Sequence, residues 1–165
     1  AHEVEEERLT PFPDGKLKSV SVVQNTYYRE NGAIDLPYDK AFEAPGFNTS
    51  QMDQATARIE AGGREFLERL GYKEENGVYR ILNPNDDRVA LFCHAGFARA
   101  WISRLLHIPA HIMWAGFNYC HTGVTILDFK NYPSGITAPL CMCYADMSHY
   151  HKEGLPPLYH NHTIV

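Results

Sequence analysis

Nine histidines are spread along the chain, and one of them stands where the surrounding residues change character. Val89-Ala-Leu-Phe-Cys93 is an unbroken apolar run, and it stops at His94. Ala95 and Gly96 follow, small enough to let the chain turn tightly. An imidazole at such a point can hydrogen-bond an oxyanion, and it titrates near neutral pH. If a helix opens just after it, the unpaired N–H groups of the first turn favour an anion at the same place. The chemistry on offer is recognition and polarisation of a phosphate-like group. A histidine at a turn is as readily a structural residue, and the residues alone leave both readings open.

Two further sets of histidines invite the same question. His121 precedes an alternating run, Thr122 to Phe129, and could face the same anion. A structural role is the competing reading. His149-x-His151 and His160-x-His162 are paired with one residue between. Alternating residues of a strand share a face, so such a pair could chelate zinc. The spacing fits no standard zinc pattern, and no metal is assigned. Of the four cysteines, Cys93 falls in the apolar run, and Cys141 and Cys143 alternate on an expected strand. Reduced packing thiols of a cytoplasmic protein are the expectation.

The elements that must position these groups can be read from periodicity. Five apolar residues are too few for a helix and read as a strand buried on both faces, as in a parallel sheet. From Phe97 the period changes to four: Phe97, Trp101 and Leu105, with Ala98, Ile102 and Leu106 beside them. Ile108-Pro109 ends that helix. His94 is thus expected at the carboxyl end of a central strand, where open α/β sheets bind ligands. A long helix is expected before it, capped by Thr49 or Ser50, with Ala55, Ile59, Phe66 and Leu70 at helical spacing and Gly71 as its stop. Gly62-Gly63 interrupts this helix, and close packing against another element is one reason for it. Strands are expected near 78–82, 88–93, 123–129 and 136–144. Residues 24–48 hold Asn31-Gly32, Pro37 and Pro45-Gly46 with scattered aromatics, and read as an irregular excursion over a site. Tyr27, Tyr28, Tyr38, Phe42 and Phe47 could line a pocket, but packing the loop down is the preferred role.

Composition sets the outer limits. At 165 residues the chain suits a single domain, 1–165, that buries roughly 70% of its unfolded surface. Hydrophobic content is 44% and charged content 21%, ordinary for a globular protein. The net charge of −5 argues against nucleic acid as a partner. No apolar run approaches the ~20 residues of a membrane span, so no membrane partner is expected.

Val-Ala-Leu-Phe-Cys-His94-Ala-Gly followed by a helix resembles the second histidine motif of the histidine phosphatase superfamily, the phosphoglycerate-mutase-like proteins. Gln51 to Leu70 resembles the long helix before that strand. Trp114 and His121-Thr-Gly-Val-Thr-Ile-Leu127 resemble the next core strand and its approach. Asp146-Met-Ser-His149 resembles the Asp-x-Ser-His-Leu ending of a bacterial branch, with Tyr150 in place of Leu. The match covers most of residues 51–150.

The resemblance implies a three-layer α/β fold, a mostly parallel sheet flanked by helices. It implies phosphomonoester hydrolysis through a phosphohistidine, on a phosphorylated small molecule, with no cofactor; mutase activity is the lesser alternative. His94 would polarise the phosphoryl oxygens, with Ala95, Gly96, His121 and Thr122 beside it at the phosphate. The family's Arg-His-Gly nucleophile motif and its Ser-Pro-x-x-Arg-Ala motif do not occur in these residues. Ala1-His2-Glu3-Val4 resembles the family's acidic segment, which makes Glu3 the general acid, or Glu5 if the register slips by two. The expectation is therefore a domain incomplete at its N-terminus and inactive alone, partnered by a missing N-terminal segment or by a second copy. A scaffold or metal-binding protein on the same fold is the competing class.

Overall fold

In the computed structural model, which describes residues 9–11 and 15–156, strands β1 (Leu9–Pro11) and β2 (Leu17–Ser19) pair antiparallel. A 3-10 turn at Val20–Val22 leads into helix α1 (Asn25–Glu30), and a second 3-10 segment covers Tyr38–Glu43. Tyr27, Tyr28, Phe42 and Phe47 pack this excursion down, as preferred, whereas Tyr38 stacks on His107 and lines a cleft. Tyr28 and Phe47 are fully buried in a cluster with Val20, Val23, Ala33, Ala41, Ala44 and Met52. Ala110 and Trp114 complete that cluster from a later helix, α4 (Ala110–Gly116).

Helix α2 (Met52–Arg69) follows its periodicity. Its N-cap is Gln51, without a side-chain cap bond, rather than the expected Thr49 or Ser50; the Ser50 Oγ accepts from the Met52 N–H at 3.4 Å and donates to the Phe47 carbonyl at 2.9 Å. Gly71 ends the helix at φ +94, a conformation that Cβ disfavours elsewhere. Its neighbour is helix α3 (Ala95–Leu105), and the two meet at Gly63. A Cβ on Gly63 would overlap Trp101 Nε1 and stand 3.0 Å from Trp101 Cδ1, so the close packing expected of the glycine pair is real at this position.

Five more strands form around these helices. β3 (Tyr72–Glu75) and β4 (Val78–Ile81) are joined by Asn76-Gly77. Both turn residues have positive φ, at +54 and +82, as a tight hairpin turn requires. β6 (Ile136–Thr137) adds to β4. β5 (Val124–Asp128) pairs with β7 (Leu140–Asp146), and a short helix α5 (Ser148–Lys152) follows. The expected single strand over 136–144 is divided between two sheets, with Pro139 in the gap. A proline cannot donate to a ladder, so pairing breaks there.

Every strand pair among the described residues is antiparallel, in three small sheets. This corrects the expectation of a mostly parallel, three-layer sheet. The centre of that expectation, residues 88–93, forms no strand. No backbone hydrogen bond ties it to another described residue. Its side chains are not buried: Val89 is 52%, Leu91 47% and Phe92 95% exposed. The physical reason is that apolar composition states a preference for burial, whereas a strand also needs a neighbouring backbone. None of the described strands pairs with this run. Cys93, expected in a core strand, is exposed for the same reason.

Candidate anion site at the start of helix α3

His94 occupies the N-cap position of α3, with φ −100 and ψ 159. Its carbonyl accepts the Ala98 N–H at 3.0 Å, which closes the first turn. Its ring makes no cap bond and is exposed to solvent. The N–H groups of Ala95, Gly96 and Phe97 precede the first intrahelical bond and, like those of any helix start, have no acceptor within the helix. An exposed imidazole and three N–H groups therefore meet at one turn.

Behind that turn lies Trp114 of α4, 3% exposed, whose Cη2 is 3.6 Å from where a Gly96 Cβ would stand. Another neighbour of Trp114 is Arg99, one turn into α3 and only 8% exposed. The Arg99 guanidinium sits 5.4 Å from the Trp114 ring centroid, and its Nη2 donates to Asn118 Oδ1 at 2.9 Å. Tyr144 of β7 is close by. Burial, then the neighbouring Tyr119, push the Tyr144 phenol well above its ordinary range, and Arg99 works against that rise. A fixed cation thus lies one helical turn beyond the exposed N–H groups. The sequence reading missed Arg99. Its signal was a charged residue inside an apolar helix stripe, flanked by Ala98, Ala100 and Ile102.

The remaining expected residues divide into groups. His121 and Thr122 lie on the turn before β5, and both are exposed. Thr122 has φ +59, rare for a β-branched residue, and its Oγ1 is 3.0 Å from His149 Nε2. No hydrogen bond joins them to His94, Ala95 or Gly96. Glu3 and Glu5 lie outside the described residues, as do His160 and His162. His149 and His151 are on helix α5, which corrects the strand on which a chelating pair was imagined. Residues two apart on a helix do not face each other. The helix arises because Asp146 Oδ1 accepts from the Ser148 N–H at 3.0 Å and its Oγ–H at 2.5 Å. These two bonds hold the Asp146 carboxyl below its ordinary pKa. Among the described residues no group of three or more His, Cys, Asp or Glu side chains is placed to hold a metal ion. No helix there is long and apolar enough to cross a membrane.

Comparison with models of protein families, with curated proteins and with solved structures found no match.

Proposed function

We propose that these residues form the greater part of a phosphomonoester hydrolase of the histidine phosphatase type. The observation that carries the reading is the turn at His94. It combines an exposed imidazole, the free N–H groups of an eleven-residue helix and a buried arginine one turn further on. Such groups stabilise the charge of a transferring phosphoryl group without reorganising during the reaction. In the proposed sequence a histidine supplied by a further segment attacks phosphorus, and the bond to the ester oxygen breaks. Glu3 gives its proton to the departing alkoxide. Water then attacks the phosphohistidine, the P–N bond breaks, and inorganic phosphate leaves. Stabilising the phosphoryl group does not provide a nucleophile, so residues 1–165 by themselves are expected to bind phosphate without turnover.

The exposed run Val89 to Phe92 is also what a domain lacking a covering segment would show. The test is made on the chain joined to the segment encoded upstream, with a generic aryl phosphate. His94→Ala is expected to lose on the order of 100-fold in activity, the scale of one oxyanion-type donor. Because the ring is exposed, the melting temperature should hardly move. A His94→Ala protein with full activity would refute the proposal.

A further inference from the structure

Helix α4 carries a histidine that the anion site does not use. His111 is fully buried. Its ring meets that of Tyr28 edge-on, with centroids 5.2 Å apart and planes at 77°. Neither ring nitrogen of His111 has a hydrogen-bond partner, and the same holds for the Tyr28 hydroxyl, Asn25 Oδ1 and Trp114 Nε1. All of these atoms belong to α1 or α4, so a buried seam between the two helices is polar and unsatisfied. The carbonyls of Ala33 and Ile34 lie near the ring and favour its charged form, without hydrogen bonds of good geometry. Burial outweighs them and lowers the His111 pKa below its ordinary value.

Among the described residues no compensating charge reaches this ring. Helix α4 packs against α1, α3, and the 3-10 turns at Val20–Val22 and Tyr38–Glu43. On α1, Arg29 and Glu30 are exposed, and Tyr27 and Tyr28 are the other titratable groups. Asp35 in the following loop is exposed, as are Asp39, Lys40 and Glu43; Tyr38 stacks on His107 instead. Val20–Val22 carries no titratable side chain. Arg99 of α3, a cation, lies against Trp114. A protonated His111 would therefore be a buried charge without a carboxylate, which proteins do not tolerate.

We propose that His111 is a proton-sensitive pin: neutral, it lets residues 20–48 pack onto α4, and on charging it releases them. Release reaches the His94 turn, because Trp114 packs against Phe47 on one side and lies beside Gly96 on the other. The direction follows from linkage. In the released segment the histidine titrates near its free value of about 6.5. The packed state holds a ring of lower pKa, so its stability is full above pH ~6.5, falls as pH drops through that value, and levels out below the packed-state pKa.

Hydrogen exchange on the full chain between pH 5 and 8, corrected for intrinsic rates, tests this. The Ala33 and Phe47 amides, bonded to the Tyr28 and Ala44 carbonyls, report on the segment. Their opening constant is expected to rise about tenfold per pH unit below ~6.5, one proton per opening. Amides of α2 should not follow. His111→Phe keeps an aromatic ring against Tyr28 and should abolish the slope. A flat wild-type profile, or the same slope in His111→Phe, would overturn the proposal. If that variant fails to fold, an NMR titration of the wild-type ring decides. A ring that stays neutral until the segment amides open supports the pin. A ring that protonates at pH 6.5 or above with those amides still protected overturns it.

Discussion

Gly62 and Gly63 are neighbours in the same helix, and replacing each with alanine separates helix propensity from packing. A Cβ at Gly62 would have nothing within 4 Å. Gly62→Ala should therefore show only the propensity gain, up to about 1 kcal/mol of added stability. A Cβ at Gly63 would overlap Trp101 Nε1 and crowd Cδ1 at 3.0 Å and Cε2 at 3.3 Å. Trp101 is not free to yield, since its ring packs against Phe66 at 5.9 Å and Phe97 at 5.8 Å. The ring also borders an apolar cleft lined by Ile59, Phe66, Leu91 and Phe97, so a shift away from Gly63 disturbs those contacts. Overpacking of this kind costs about 1–3 kcal/mol, against which the same propensity gain of about 1 kcal/mol is set. The two variants should thus differ by about 1–3 kcal/mol. For a chain of this size that is a separation of roughly 2–12 °C in melting temperature, with Gly62→Ala the higher. Thermal denaturation followed by circular dichroism measures it. Equal stability of the two variants would show that α2 and α3 do not cross at Gly63.

Two other substitutions have expected directions. Gly77→Ala in the β3–β4 turn meets nothing within 4 Å, so its effect is purely conformational: at φ +82 it should destabilise by about 1–2 kcal/mol in urea unfolding. Arg99→Met removes a buried donor to Asn118 and a cation from the Trp114 face, and should shift the urea midpoint by the equivalent of about 1.5–3 kcal/mol. An unchanged midpoint would mean that the Asn118 bond is replaced by water without loss.

Local features were legible because local physics decides them. The run from Met52 to Arg69, the stop at Gly71 and the helix opening after His94 each follow from spacing and from one or two special residues. Pairing was not legible in the same way. Val89 to Cys93 has the composition of a doubly buried strand, yet nothing in those side chains says which backbone lies alongside. The sheet expected around it was therefore an inference about absent neighbours, and the antiparallel pairs formed elsewhere. The His149-x-His151 spacing misled because Asp146 initiates a helix through Ser148, so the period there is not two. For the candidate site, the His94 turn was readable as a change of period. Arg99 was not, because its importance comes from Trp114 on another helix.

The bare run from Val89 to Phe92 has a consequence for handling the protein at all. A short window of high β-propensity, free of charge and proline and with its backbone unpaired, is the signature of a segment that templates its own kind. Asp86, Asp87 and Arg88 stand directly before it and act as gatekeepers, but on one flank only; on the other, Cys93 to Phe97 brings no charge until Arg99. Colloidal behaviour should therefore be set by these few residues rather than by the overall charge of −5. Loss on concentration should be steep, and any fibrils should be seeded from this segment. A lysine at Phe92, 95% exposed, should suppress both without disturbing the core.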